Sequence, residues 1–149
     1  MKKVMDHSRI KRFSAHYGPP KVDLRKARIR DCWNGEKGAQ VHLSHKKPED
    51  VTREHLKEYH DVFSFVEKED LLFYLCPIIR NLIEGGSDIW LDNYLYNLDE
   101  SFESLDESLD KEEKQILRSA LETIYQNGGH ECWGECPNLQ EATGLKAPH

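Results

Sequence analysis

The sequence has no long apolar run. None of its stretches approaches the roughly 20 consecutive apolar residues that span a bilayer. Its N-terminus carries charge without the apolar stretch of a secretory signal. Both absences predict a cytoplasmic protein without a membrane span. The hydrophobic fraction is only 38% of 149 residues, but the content of Phe, Tyr and Trp argues against wholesale disorder, and this length is enough for one domain with its own core.

The signatures of common enzyme classes are also missing. The chain has no Gly-rich phosphate loop, no G-x-S-x-G elbow, no dinucleotide-binding fingerprint and no H-E-x-x-H element. Acidic residues are abundant, but acid–base catalysis by two carboxylates needs a cleft, which a sequence does not show. The sequence does not decide whether the protein is an enzyme. It favours a protein without catalysis, and we assign no catalytic residue.

The net charge of −6 hides an uneven distribution of charge. Residues 1–30 hold ten Lys and Arg against two Asp, which gives +8, whereas residues 31–149 hold 11 basic and 25 acidic residues, which gives −14. The segment 99–113 carries eight carboxylates and predicts a surface that attracts a basic protein partner. The predicted contact residues are Asp99, Glu100, Glu103, Asp106 and Glu107.

The basic N-terminal segment suggests a second kind of partner. Arg9, Lys11 and Arg12 are suited to phosphate contacts, and the nearby aromatic residues Phe13 and Tyr17 are suited to base stacking. No known nucleic-acid-binding motif follows, and the whole chain is acidic. We therefore favour a segment that pairs with the acidic segment 99–113 of the same chain or is solvated, with nucleic-acid contact as the alternative.

Hydrophobic periodicity predicts five helices. They are expected over residues 22–33, 48–60, 67–84, 88–98 and from Asp110 to Gly128. Pro77 should kink or split the third of them, and the acidic segment 99–109 should connect the last two. Residues 62–66 are either extended or the lead-in to the third helix, and 34–47 read as a loop.

These elements predict an all-α or mainly α protein in three parts. Residues 21–129 are expected to form a compact bundle of about five helices. Residues 1–20 lack an obvious helical period and end in Gly18-Pro19-Pro20, so they are expected to be a weakly ordered arm. Residues 130–149 are expected to be a tail punctuated by Gly and Pro.

The tail contains an unusual cluster of metal-ligating residue types. His130, Cys132 and Cys136 place one imidazole and two thiols within seven residues, and the spacing of the cysteines is common in zinc sites. A fourth ligand would have to come from elsewhere in the chain. The alternatives are two free thiols or a local disulfide. Cys76 lies in an apolar stripe and is expected to be a small core residue.

The histidines outside the tail give no metal motif. His55 and His60 are five residues apart, so on a regular helix their side chains point about 140° away from each other. His55 lies on the apolar face of the second predicted helix. We expect it to be a partly buried histidine with its hydrogen bonds satisfied.

Apolar motifs in the middle of the chain carry a family resemblance. Phe63-Ser64-Phe65 and the run 72–77 (LFYLCP), with Asp31 and Trp33 upstream and Phe102 and Leu105 downstream, resemble an uncharacterised family of small bacterial helical proteins. The resemblance covers about residues 22–126 and implies a stand-alone bacterial helical domain. It brings no activity or site residue, and the chain departs from it at Cys76, in the basic start and in the Cys/His tail.

The sequence as a whole predicts a non-catalytic protein-binding module of the acidic inhibitor or immunity type. Its expected partner is a protein with a basic surface. The alternatives are a zinc-binding domain that uses the C-terminal cluster and a nucleic-acid contact through the basic N-terminal segment.

Overall fold

The structure is a computed structural model that describes residues 7–31, 45–86 and 90–148. These residues form eight α-helices and three short 3₁₀ helices, and no strand occurs among them. The α-helices are α1 (His7–His16), α2 (Leu24–Asp31), α3 (Arg53–Glu58), α4 (Lys68–Phe73), α5 (Leu75–Gly85), α6 (Trp90–Glu107), α7 (Lys111–Gln126) and α8 (Pro137–Thr143). The 3₁₀ helices are Pro48–Asp50, Phe63–Phe65 and Gly129–Glu135. The mainly helical class predicted from the sequence is confirmed.

Each predicted helix has a counterpart, but the second is divided into the 48–50 3₁₀ helix and α3. The proline in the third predicted helix acts as expected. That helix is split into α4 and α5 at Tyr74, because Pro77 has no N–H to donate to the carbonyl of Phe73. Pro77 lies in the first turn of α5, where a backbone N–H has no intrahelical partner anyway. At the start of α7, Asp110 and Glu113 form the predicted capping box, with reciprocal N–H···O bonds of 2.8 and 3.0 Å.

The acidic segment 99–109 is mostly helix and not a connector. α6 continues to Glu107, because Phe102 and Leu105 extend the buried stripe of Leu95 and Leu98 at helical spacing. Only three residues then separate α6 from α7. Glu100, Glu103 and Glu107 of this segment are therefore fixed on the surface of a regular helix.

Two segments near the ends of the chain, residues 7–16 and 129–143, pack on the core. Residues 7–16, expected to belong to a weakly ordered arm, form α1, which contacts α4, α5 and α7 through the buried Ile10 and Phe13. Ser14 accepts a hydrogen bond of 3.0 Å from the backbone N–H of Cys76. The expected tail forms a 3₁₀ helix and α8, which contact α6 and α7 and bury Trp133 and Leu139.

The core runs through the contacts of α5 and α6 with the helices around them. It is rich in aromatic residues, and the largest fully buried ones are Trp90, Trp133, Tyr59, Tyr74, Tyr94, Phe63 and Phe73. Cys76 is buried among the apolar residues, as expected. None of the helices in the described ranges is long and apolar enough to cross a bilayer. The predicted loop up to residue 44, and residues 1–6 of the basic segment, lie outside the described residues.

Candidate acidic interface, thiol cleft and histidine relay

The outer face of α6 carries a row of acidic side chains, here called the acidic stripe. It consists of Asp92, Glu100, Glu103 and Glu107, all exposed. Their spacing of eight, three and four residues keeps them on one side of the helix. Tyr96 lies within the row with 47% of its surface exposed, and the nearby carboxylate of Glu100 raises the pKa of its hydroxyl. The helix therefore presents an aromatic ring surrounded by carboxylates.

A cleft beside the start of the acidic stripe adds further carboxylates. It has a volume of about 160 Å³ and lies between Asp92 and Tyr96 of α6 and the 129–135 3₁₀ helix. Glu131 and Glu135 line its opposite wall, and both are exposed. The negative surface thus extends from α6 across to the C-terminal part of the chain.

A second cleft lies farther along α6 and has a volume of about 440 Å³. Glu103 of α6 and Glu141 of α8 line it, together with Arg118 of α7. The charge of Arg118 is balanced, because its guanidinium donates to both carboxylate oxygens of Asp106 at 2.8 and 3.1 Å. This hydrogen bonding lowers the pKa of Asp106. The cleft therefore keeps an excess of negative charge from its two glutamates.

The exposed carboxylates of this surface have no cationic partner among the residues that the structure describes. Within the described ranges, no Lys or Arg forms an ion pair with the acidic stripe or with Glu131, Glu135 or Glu141. The far end of the acidic segment differs, since Glu112 pairs with Arg9 at 3.6 Å. Among the described residues, ion pairing within the chain thus reaches α6 at Asp106, which pairs with Arg118, but does not reach the acidic stripe.

The basic residues of α1 are partly engaged by the body of the protein. Besides the pair of Arg9 with Glu112, Lys11 pairs with Glu49 at 2.8 Å. The pair of Arg9 with Glu112 joins the basic segment to the acidic segment 99–113, as in the pairing that we favoured, whereas Glu49 lies outside that segment. Arg12 is exposed and lines a cleft of about 260 Å³ between α1 and α7.

Asp99 occupies a different place from the other predicted contact residues. It is 5% exposed, and its carboxylate accepts a hydrogen bond of 3.0 Å from the backbone N–H of Leu139 in the first turn of α8. Its carbonyl accepts another from the Asn138 amide. Burial raises the pKa of the Asp99 carboxyl. Asp99 therefore holds α8 against α6 and is not presented to solvent, whereas Glu100, Glu103 and Glu107 are.

The two cysteines of the tail line the smaller cleft and are free thiols in this structure. Cys132 Sγ donates to Asp92 Oδ1 at 2.7 Å, and Cys136 Sγ donates to the Cys132 carbonyl at 3.7 Å. His130 Nδ1 lies 3.0 Å from the Tyr125 carbonyl, which only accepts, so that nitrogen carries a proton. The described residues contain no group of three or more His, Cys, Asp or Glu arranged to hold a metal ion. The zinc site stays a prediction.

We expect both tail thiols to react slowly with alkylating agents. Burial, followed by the hydrogen bond to Asp92, raises the pKa of Cys132, and burial with nearby carboxylates raises that of Cys136 to about 12. Because the thiolate is the nucleophile, alkylation of Cys136 near neutral pH should be roughly a thousandfold slower than that of a free cysteine. Mass spectrometry of iodoacetamide-treated protein measures this, with the urea-unfolded chain as control. Rapid labelling of either thiol in the folded protein would contradict the expectation.

A chain of hydrogen bonds, here called the histidine relay, joins Tyr74, His45 and His55. His45 is 4% exposed; its Nδ1 lies 3.0 Å from the Tyr74 hydroxyl and its Nε2 lies 3.0 Å from His55 Nδ1. The backbone N–H of Thr52 also donates to His55 Nδ1 at 3.2 Å. His55 is partly buried and hydrogen-bonded, as expected. Nothing in the sequence pattern pairs it with His45, ten residues earlier.

The chain was compared with known proteins. No protein-family model, no curated protein and no solved structure matches it. The resemblance of residues 22–126 to an uncharacterised bacterial family therefore stays a prediction, and the functional proposal rests on the chain's own residues.

Proposed function

We propose that the protein is a binding module whose acidic stripe engages the basic surface of a partner protein. The observation that supports this most directly is the set of exposed carboxylates on α6 and the facing C-terminal segment, which lack cationic partners among the described residues. Like charges gathered on one face focus a negative potential that speeds the approach of a basic partner.

Tyr96 supports the same surface as an interface. Its ring is one of two large hydrophobic side chains that are strongly exposed within the described residues, the other being Ile83. Interfaces commonly combine a central aromatic anchor with a polar or charged rim. Tyr96 has the carboxylates of Asp92 and Glu100 one turn away on either side, which matches that arrangement. A small acidic inhibitor or immunity-type protein is the class that we propose.

Charge reversal tests this proposal. The triple variant Glu100→Lys, Glu103→Lys and Glu107→Lys should lose salt-sensitive capture of its partner from a low-salt cell extract, with affinity reduced at least about tenfold, or about 1.4 kcal/mol. Affinity capture with quantitative mass spectrometry identifies the partner and compares the variants. The reason is that the substitutions turn three attractive contacts into repulsive ones.

The matched control reverses three exposed glutamates elsewhere. Glu58→Lys, Glu69→Lys and Glu84→Lys change the net charge by the same amount on other faces of the protein. This control should retain capture of the same partner. Equal loss in both triple variants would show an effect of net charge alone, and capture that persists in the stripe variant would refute the proposed interface.

A further inference from the structure

The hydrogen bonds of the histidine relay fix the protonation state of His55. A backbone N–H can only donate, so His55 Nδ1, which accepts from Thr52, bears a lone pair. The proton of the His55 ring is therefore on Nε2, and the ring is neutral. His45 Nε2, at 3.0 Å from His55 Nδ1, must then be a donor. While His45 is neutral, its Nδ1 accepts from the Tyr74 hydroxyl.

A proton added to His55 cannot be accommodated without breaking the relay. The only unprotonated ring nitrogen of His55 is Nδ1, and a proton there would face the two N–H groups of Thr52 and His45. A proton added to His45 would lie on Nδ1 and could be donated to the oxygen of the Tyr74 hydroxyl, so it does not by itself break a hydrogen bond. A cation on either ring disfavours one on the other, because the two ring centroids are 4.9 Å apart. The relay in its present form thus exists only while His55 is neutral.

The charged groups that face His45 and His55 do not make protonation of these rings favourable. Asp23 of α2 and Asp50 of the 48–50 3₁₀ helix favour a charged His45, and Glu54 of α3 favours a charged His55. Both aspartates already accept backbone hydrogen bonds, including that from Lys26 to Asp23 at 2.8 Å. Burial outweighs them and lowers the pKa of His45 from 6.5 to about 4; burial also lowers the pKa of His55.

We propose that the histidine relay is an acid-sensitive latch that holds His45 and the residues that follow it against α3 and Tyr74 and releases them on protonation. The released part is limited by other contacts. α3 keeps its own anchors, since Leu56 is fully buried and Arg53 donates to the carbonyls of Asn81 and Gly85 at 3.0 and 3.1 Å. The latch therefore opens locally, and its role is separate from that of the acidic stripe.

The direction of the pH effect follows from a comparison of the closed relay with its released state. Once released, the histidines regain their ordinary pKa of 6.5, while in the closed relay the pKa of His45 is about 4. The closed form is therefore favoured above about pH 6.5 and is progressively lost as the pH falls towards 4. Tyr74, whose pKa burial raises well above its usual value, does not titrate in this range.

Nuclear magnetic resonance of the ¹⁵N-labelled full chain tests the proposal. At about pH 7, the ring nitrogens of His45 and His55 should both report neutral imidazole with the proton on Nε2. On acidification to about pH 4.5, the exchange protection of the Thr52 amide should fall at least about tenfold, with the shifts of the Tyr74 ring changing in parallel. A proton on His55 Nδ1 at neutral pH would overturn the proposal.

A variant separates the latch from general acid sensitivity. In His55→Asn, the side-chain oxygen can accept from Thr52 and His45 in place of Nδ1 but does not titrate. Loss of Thr52 protection should then move to lower pH, whereas His16→Asn, at an exposed site in α1, should behave as the wild type. An unchanged pH response in His55→Asn would also overturn the proposal. Should that variant fail to fold, the ring-nitrogen measurement on the wild type decides alone.

Discussion

Replacing Trp133 by Ala is expected to lower the free energy of unfolding by about 3–5 kcal/mol, the range for removing a buried large aromatic side chain. Trp133 is 0% exposed. Its ring meets that of Tyr125 edge to face, with centroids 5.3 Å apart, and its Nε1 donates to the Leu145 carbonyl at 3.1 Å. The substitution would therefore leave a cavity and also detach the last residues of the chain. Urea unfolding followed by circular dichroism measures the loss.

A neighbouring exposed residue provides the control for this prediction. Glu131→Ala, two positions away in the same 3₁₀ helix, should change the free energy of unfolding by no more than about 0.5 kcal/mol, because Glu131 is exposed and buries little. If Trp133→Ala were as stable as the wild type, the C-terminal segment would not contribute to the core. Its packing against α6, which forms one wall of the two clefts, would then be contradicted as well.

The helices with a wide apolar stripe could be predicted from the sequence. Their periodicity, the break caused by Pro77 and the capping box at Asp110 are local features that depend on residues within one or two turns. The C-terminal segment could not be predicted in the same way. A 3₁₀ helix has three residues per turn, so Trp133 and Cys136 share a face without forming a 3.6-residue pattern, and glycines on both sides suggest a loop.

α1 was missed for a different reason. Its buried positions Ile10 and Phe13, and the partly buried Tyr17 that follows the helix, have helical spacing, but Ser14 takes one core position and exposed basic residues fill much of the rest. The serine is satisfied by the backbone N–H of Cys76, a contact 62 residues away that no local pattern shows. The apolar residues of α1 do recur with a helical period. The pattern is hard to recognise because polar residues, whose hydrogen-bond partners come from distant parts of the fold, lie between them.

The candidate site was predictable only in part. Charge alone indicated the acidic segment, and Glu100, Glu103 and Glu107 are indeed exposed on α6. The burial of Asp99 depends on where α8 returns to the core, which is a long-range feature. The meeting of His45 with His55 likewise requires the chain to turn between them. Contacts between residues distant in the sequence therefore decide which carboxylates and histidines are buried in the structure and which are available for binding.

Asp70 is expected to be the most important buried carboxylate for stability. It is 1% exposed, and its two oxygens accept backbone N–H groups from Lys21 and Val22 at 3.0 Å and from Glu67 at 3.1 Å. These bonds fix the link between α1 and α2 to the start of α4. In the same link Gly18 packs against the Phe73 ring, so closely that a Cβ would collide with it.

Asp70→Ala should lower the free energy of unfolding by about 3 kcal/mol, measured by urea unfolding. Three amides would lose their acceptor, at about 1–3 kcal/mol for each buried donor left unsatisfied. Burial raises the pKa of Asp70 in spite of these bonds, so removing the carboxylate also relieves a desolvation cost, which keeps the expected loss towards the lower end of that sum.

Asp70→Asn retains one acceptor oxygen but points N–H groups at the remaining donors, so we expect it to be destabilised as well, though less. The exposed neighbour Glu69, changed to Ala, should leave stability within about 0.5 kcal/mol of the wild type. If Asp70→Ala behaved like Glu69→Ala, the link between α1 and α2 would be held by apolar packing alone.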